Sequence, residues 1–518
     1  MKKRQFKLIA SAAALVAAGT AQAYTFELDD IRGNFDSTVS YGAGVRVKSP
    51  DASLAAVDPF TGYSNYGDAN YSKGQFFANQ LKGVHELLLK SPDDFTFMGR
   101  VNWVRDFSAA DTAQPLDVNA EEQLKFKARV LDFWVGKGFN LGEERARVRV
   151  GNQVINWGES LFLPGGINAT NSMDIMRLSQ PGTQLKEAVL PAPMVSFATG
   201  LGGGFNFEGY AQFGWNKNYF PPVGSYWSTA GAVGPGNAAS STNGQGAVGS
   251  EKQASNSGQW GMSLRYQPEG TQFNLGAYAL NYHDKGPVMY LDQLGNMDAK
   301  YLENRKLYGA SINFPVGDWA IGSEISIRPR DAVSLGTPTN DGSFYVDSKK
   351  YQWHLTGLLS LTPGSTGGDI LNAIGADTGT LLAEAVVVDY PKLQPTMNGG
   401  LVGAGGWTWG GSNPVAKGTK VSTGFNFDFS VVYDGTVIPG WQVVPEVYYF
   451  RALSGYTPNN GGLFMQGAQS ANYVVTFMQN PTTWQVAVNY SRFWGGQEIL
   501  AQPFRDRDFV GLVVSRNF

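Results

Sequence analysis

The stretch FVGLVVSRNF, residues 509–518, brings the chain to its end on an aromatic. Val510, Leu512, Val514 and Phe518 fall on one parity and Gly511, Ser515 and Asn517 on the other, so a strand here has one apolar and one small or polar face. A water-soluble protein usually buries such a strand centrally, because a terminal edge frays and invites pairing with other chains. The apolar face therefore calls for a different covering.

At the other end, MKKRQFK gives a basic start, LIASAAALVAAG a short apolar run and Ala21-Gln22-Ala23 a small-x-small site. This is the pattern of a secretory signal peptide over residues 1–23. The run is shorter than the roughly 20 residues a helical span requires, and no cysteine follows to take a lipid anchor. With 0 Cys, disulfides, redox motifs and thiolate metal sites are excluded. Three His and a formal net charge of -3 give no electrostatic footprint for nucleic acid. No later stretch of about 18 apolar residues exists, which excludes a helical membrane protein.

Period-two alternation recurs along the chain. It is clearest in STVSYGAGVRV (37–47), FTFMGRVNWV (95–104), SGQWGMSLRY (257–266), GFNFDFSVVY (424–433) and WQVAVNYS (484–491). In the fourth of these, Phe425, Phe427, Phe429, Val431 and Tyr433 oppose Asn426, Asp428 and Ser430. The connections alternate as well. Short turns such as SPDD (91–94), QPEG (267–270), PVGD (315–318) and NPTT (480–483) take turns with long polar links near 48–79, 107–122, 156–187, 216–257, 283–303, 329–350, 391–420, 453–471 and 494–506.

A meander with long loops on one side and short turns on the other is how outer-membrane barrels are built. The expected fold is all-β: a transmembrane up-and-down antiparallel β-barrel of about 18 strands, with 14 or 16 also open, long extracellular loops and short periplasmic turns. Residues 24–34 then form a short periplasmic segment and 35–518 the barrel. Nothing large enough for an energised plug precedes the first strand near Phe35, which points to passive passage. In a closed sheet the last strand pairs with the first and its apolar face meets lipid. A terminal strand ending in Phe also resembles the signal read by the barrel-assembly machinery, with Arg516 a departure where an apolar residue is usual. Near the interface that arginine costs about 1 kcal/mol or less. The competing fold, a secreted soluble sandwich or solenoid, also alternates. Against it stand the loop asymmetry, the terminal Phe and the lack of a repeat of roughly 20 to 50 residues.

The segment Arg149–Ser228 contains RVGNQVINWGESLFLPGGIN, an Asn and Asp cluster, and PGTQLKEAVLPAPM before a strand near FEGYAQ. It resembles the core of the proteobacterial outer-membrane family catalogued as domain of unknown function 1302. The resemblance is carried by Asn156, Trp157, Gly158, Glu159, Ser160, Gly165, Gly166, Ile167, Asn168, Lys186, Glu187, Leu190, Pro191, Pro193 and Met194. It implies a place in the outer membrane of a Gram-negative bacterium, in contact with membrane lipid and lipopolysaccharide. It further implies a periplasmic companion protein, an inner-membrane transporter of the resistance-nodulation-division type, and an association with hydrophobic compounds such as steroids, terpenes and hydrocarbons. It implies no reaction.

The 156–187 link is unusually apolar for a surface loop. It carries Leu161, Phe162, Leu163, Ile167, Met173, Ile175, Met176 and Leu178 among Trp157, Glu159, Asn168, Asp174, Arg177, Lys186 and Glu187. Such a loop needs cover. Either it folds inward against the barrel wall as a constriction or plug, or it packs on neighbouring loops outside. Arg145, Arg147 and Arg149 alternate with Ala146, Val148 and Val150, which places all three guanidinium groups on the inward parity, since a lipid-facing charge at the midplane costs roughly 2 to 4 kcal/mol. Arg46, Arg100, Arg265 and His354 are placed with them as pore-lining or solute-binding candidates, and Glu324, Glu384 and Asp428 as their partners. The arginines could attract an anionic solute or simply pair across a polar interior. The aromatic link NKNYFPPVGSYWS (216–228) could catch an apolar solute, or serve as loop packing or girdle.

Catalysis is not expected. His85, His283 and His354 lie far apart in sequence, no G-x-S-x-G occurs, Glu159-Ser160 lacks a nearby base, and GLGGGF (200–205) is a turn with no helix to cap a phosphate. No metal cluster or cofactor is called for. The sequence is thus read as an outer-membrane channel for passive passage of a small hydrophobic or amphipathic molecule. The alternatives are a general porin for polar or anionic solutes and a non-conducting scaffold or assembly partner.

Overall fold

A computed structural model describes residues 24–55, 66–229, 233–236, 248–404, 417–498 and 501–518; the leader read over 1–23 lies outside the described residues. Eighteen strands form one antiparallel ring: β1 Ile31–Arg46, β2 Phe76–Lys90, β3 Phe95–Asp106, β4 Phe126–Leu141, β5 Glu144–Gln153, β6 Ala192–Gly202, β7 Phe205–Gln212, β8 Trp260–Tyr266 and β9 Asn274–Tyr282, then β10 Arg305–Val316, β11 Trp319–Ser334, β12 Tyr345–Leu361, β13 Thr378–Asp389, β14 Val421–Ile438, β15 Trp441–Ser454, β16 Ala468–Gln479, β17 Trp484–Gly495 and β18 Phe509–Asn517. β1 begins ahead of the Phe35 start read from the sequence, and Tyr24–Leu28 folds back on its first residues as an additional strand outside the ring.

Closure is by β1 and β18, which pair from Thr38↔Asn517 to Arg46↔Phe509. Even Phe518 takes part, its N–H donating to the Ser37 carbonyl at 2.7 Å. Hydrocarbon offers no partner to a free backbone group, so only a sheet without edges can stand in it. The outer parity is built for that solvent. Leu264 on β8, Ile325 on β11, Trp353 and Leu355 on β12, Val488 on β17 and Val510 and Leu512 on β18 are all exposed on the outside. A soluble monomer rarely shows so extended an apolar surface. Arg516 breaks the outer pattern but is only 7% exposed, with its guanidinium 5.0 Å from the Trp484 ring and 5.1 Å from the Phe518 ring. Stacking on aromatics offsets part of the cost of a cation at that rim. Among the described residues, no helix is long and apolar enough to cross a membrane.

The turns at 91–94, 142–143, 203–204, 267–273, 317–318, 439–440 and 480–483 lie at one end of the barrel, with the start of β1 and the end of β18. The connection 362–377 departs from the short-turn rule. It carries a helix, α1 Gly368–Ile374, whose Leu371 packs on Leu359, Leu361 and Val431 of the outer wall and whose Ile370 and Ile374 stay exposed. At the other end the long loops pack on one another. Tyr226 and Trp227 are buried against Phe77 and Phe509, so loop packing is the role the structure gives those two aromatics of the 216–228 link.

Closure can be tested in a chain that has no native cysteine. Ser40 and Ser515 face each other across the seam with their hydroxyl oxygens 2.9 Å apart. Ser40→Cys with Ser515→Cys should form a disulfide under mild oxidation, because directly opposed Cβ atoms lie within bridging range. Ser40→Cys with Ser491→Cys should not. Gel mobility of the denatured, unreduced protein separates the two, and equal cross-linking would contradict the closure.

Candidate functional site

The loop between β5 and β6, residues 154–191, runs through the barrel interior. Its first half is held by two wall carboxylates on the inward parity of β11 and β13. One oxygen of Glu324 accepts the backbone N–H groups of Glu159 at 2.5 Å and Ser160 at 3.2 Å, and the other that of Ile167 at 2.8 Å. Glu384 accepts the N–H groups of Phe162 at 2.7 Å and Leu163 at 2.9 Å through one oxygen, and its other oxygen lies 2.7 Å from His354 Nδ1. Both carboxylates are almost wholly buried, where an unmatched charge is costly. Loop amides match them. The role expected of Glu324 and Glu384, pairing with arginines, is thus replaced: among the described residues no guanidinium reaches either, and backbone donors do instead.

The glycines of NWGESLFLPGGIN make this approach possible. A Cβ at Gly166 would stand 1.9 Å from Glu324 Oε1, and one at Gly158, whose φ is +90°, 2.2 Å from Glu324 Oε2. Carbonyls in the same turn are satisfied by residues that sequence reasoning missed. Arg328 donates to the Gly165 and Gly166 carbonyls, the latter at 2.9 Å, and Gln352 donates to the Pro164 carbonyl at 2.9 Å. Their inward parity beside Glu324 and His354 was the available signal. His354 is fully buried, with Nδ1 to Glu384 and Nε2 2.9 Å from the Gln352 amide, so it supports the anchor and faces no open space. Trp157 is buried against Tyr210 and Tyr278 and donates its indole N–H to Glu208 at 2.7 Å. Glu159 accepts from Asn313 at 3.0 Å, and Asn168 bonds Asn156 at 3.0 Å within the loop. Phe162 stacks edge-on to Tyr448 at 5.6 Å.

The second half of the loop reaches the wall made by β2, β3 and β4. Asp174 pairs with Arg129, Lys186 with Glu86, and Glu187 with Lys82 at 3.0 Å, while Asp174 also accepts the Arg177 backbone N–H at 2.9 Å and the Arg177 guanidinium lies 3.8 Å from Glu187. Behind them Arg100 joins Glu86 at 3.3 Å and Asp132 at 2.6 Å. In a ring of eighteen, β2 and β11 stand on opposite sides, so the loop spans the interior from wall to wall.

This loop is the segment that the sequence places in a known group. Residues 5–518 match the family model described as Protein of unknown function (DUF1302). The chain belongs to that family. No curated protein matches it. Among solved structures, OccAB1 of Acinetobacter baumannii is similar at a TM-score of 0.44 and 10% identity, over 96% of this chain and 98% of its own. OpdK of Pseudomonas aeruginosa, solved with vanillate, gives 0.43 and 11% over 95% and 99%. OmpF of Salmonella typhi, solved with daunomycin, gives 0.38 and 10% over 96% and 100%.

The remaining charged candidates of this family member are not brought to one place. Arg46 is fully buried beneath the long loops, 2.8 Å from Asp68 and 2.9 Å from Asp506. Arg145 pairs with Asp94 at 2.6 Å near the short-turn end. Arg149 lies over the Trp134 ring at 4.4 Å, and its Nε and that of Arg265 are buried without a hydrogen-bond partner among the described residues. Arg147 lines an interior recess of about 400 Å³ with Asn206 and Glu208. Asp428 lies on β14, partly buried, with Oδ1 likewise lacking a hydrogen-bond partner among the described residues.

Glu324→Ala and Gly166→Ala attack one contact from its two sides. A charge-assisted hydrogen bond is worth about 1.5 to 3 kcal/mol, so losing three should free the loop's first half. In the reconstituted barrel, Ser160→Cys should react with a small maleimide roughly tenfold faster in either variant than in the otherwise native protein. Combined with Asp428→Ala instead, it should react at the native rate. A native rate in both loop variants would contradict the anchoring.

Proposed function

We propose that this protein is a channel of the Gram-negative outer membrane that lets a small hydrophobic or amphipathic molecule pass without an energy source, and that the anchored loop sets the width and lining of its path. The observation that carries this reading is the combination of a fixed backbone with free apolar side chains inside a barrel. Leu161 is 42% exposed and Phe162 partly so, although both belong to a loop tied down by Glu324 and Glu384. Small ions gain nothing from such a surface. A solute with an apolar body can move along it by replacing water at the same contacts. The path is a transport route, with no covalent chemistry assigned to it. A periplasmic companion and an inner-membrane transporter, implied by the resemblance, fit the same reading as donors or acceptors of the solute.

A second reading has its own support. Arg147 opens onto a recess and has no carboxylate within ion-pair distance among the described residues, which suits passage of an anion.

Planar-bilayer recordings and flux measurements separate these. Deleting residues 161–178 should raise single-channel conductance, because the loop occupies cross-section; unchanged conductance would remove its constricting role. Proteoliposomes carrying the native protein should take up a labelled steroid or terpene faster than empty ones. No difference there, with an anion preference in the recordings, would favour the second reading.

A further inference from the structure

A second site lies on the outer wall, at the long-loop end of β10, β11 and β12. Here the register of β11 shifts between Arg328 and Asp331, so that Pro329 and Arg330 together oppose Lys349 of β12. A bulge of this kind re-aims a side chain, and it sets Arg330 beside Lys349 on the outward parity. The loop after β13 adds Lys392. The three cations share a recess of about 580 Å³ with Tyr308, Ile327 and Met397, and Lys306 stands on the same outward parity two residues from Tyr308. One carboxylate lines the recess, Asp347, and it is already engaged by Arg305 at 2.7 Å. Among the described residues, none of Lys306, Arg330, Lys349 and Lys392 has a carboxylate within ion-pair distance; Arg330 donates to the Asn304 carbonyl at 3.0 Å and Lys349 sits 4.7 Å over the Tyr351 ring.

Four cations gathered at one edge of the wall, with no carboxylate within ion-pair distance among the described residues, call for an anion from outside the chain. Below them the wall turns apolar at once, with Ile325, Trp353 and Leu355 exposed. Tyr308 and Tyr351 lie between the two zones, where amphipathic rings mark a membrane interface. The matching ligand carries phosphate at one end and acyl chains at the other.

We propose that this recess binds the phosphorylated sugar headgroup of an outer-leaflet glycolipid, with its acyl chains along Ile325 and Trp353. The proposal rests on the long loops facing the outer leaflet, and it is separate from what passes through the interior.

The test uses the full-length protein in detergent, with diphosphoryl lipid A, dephosphorylated lipid A and phosphatidylglycerol as three probes. The native protein should bind diphosphoryl lipid A roughly tenfold more tightly than either of the others. Arg330→Ala with Lys349→Ala and Lys392→Ala should lose about that factor, while Arg105→Ala, an exposed cation on the distant β3, should change binding less than about twofold. Heat-dependent gel mobility verifies folding; should the triple variant fail it, Lys392→Ala alone, in a loop, should still weaken binding roughly threefold. Equal binding by variant and native protein, or by the dephosphorylated probe, would overturn the proposal. So would equal binding of phosphatidylglycerol, which would assign the recess to ordinary anionic phospholipid. Conductance of the channel is unaffected by any of these results, so the functional reading stands or falls separately.

Discussion

Two buried carboxylates, Glu324 and Glu384, govern the interior of this barrel. Among the described residues no lysine or arginine pairs with either, and backbone N–H groups of one loop bond both, joined at Glu384 by His354. For a buried carboxylate, the fixed dipoles of such backbone groups replace the hydrogen bonds of the water it gave up. The same bonds dictate the course of the loop. They require glycine at 158 and 166, where any side chain would occupy the space of the carboxylate oxygens, and they bring Arg328 and Gln352 onto the carbonyls that the tight turn leaves free.

Charge of both signs on the far wall completes the span. Lys82, Glu86 and Arg129 receive the Glu187, Lys186 and Asp174 ends of the loop, so the segment is tied at both sides of the ring. Above it, Leu163 enters the apolar cluster formed by Leu335, Val402 and Phe464 of the long loops. The loop therefore meets the walls through polar bonds and apolar packing together, Trp157 and Ile167 lying against Tyr210, Tyr278 and Leu307, and it shows Leu161 to the remaining space. Outside the ring the logic inverts: apolar residues face lipid, and Lys306, Arg330, Lys349 and Lys392 stand at the long-loop edge of the apolar band.

Much of this was legible in the sequence. Alternation and the taking of turns by short and long links gave the barrel and its strand number, because a closed meander in lipid imposes both. The apolar content of 156–187 marked that loop as needing cover, and parity placed Glu324, His354 and Glu384 inward. What parity could not give was their partner. The contact between Ile167 and Glu324 joins residues 157 positions apart and leaves no local pattern, whereas an arginine on a neighbouring strand is the obvious counter-ion. Lys82, Glu86 and Arg129 were missed for a similar reason, since their strands were not among those with the clearest alternation. The helix α1 in the 362–377 connection escaped notice because seven residues are too few to show a helical period.

The central claim, that the loop backbone is bound to wall carboxylates, is tested most directly by residue-resolved hydrogen exchange on the barrel in a lipid bilayer. The amides of Glu159, Ser160, Phe162, Leu163 and Ile167 should be protected to the level of neighbouring strand amides, although they belong to no strand. Exchange of these five at the rate of an unstructured peptide would contradict the account.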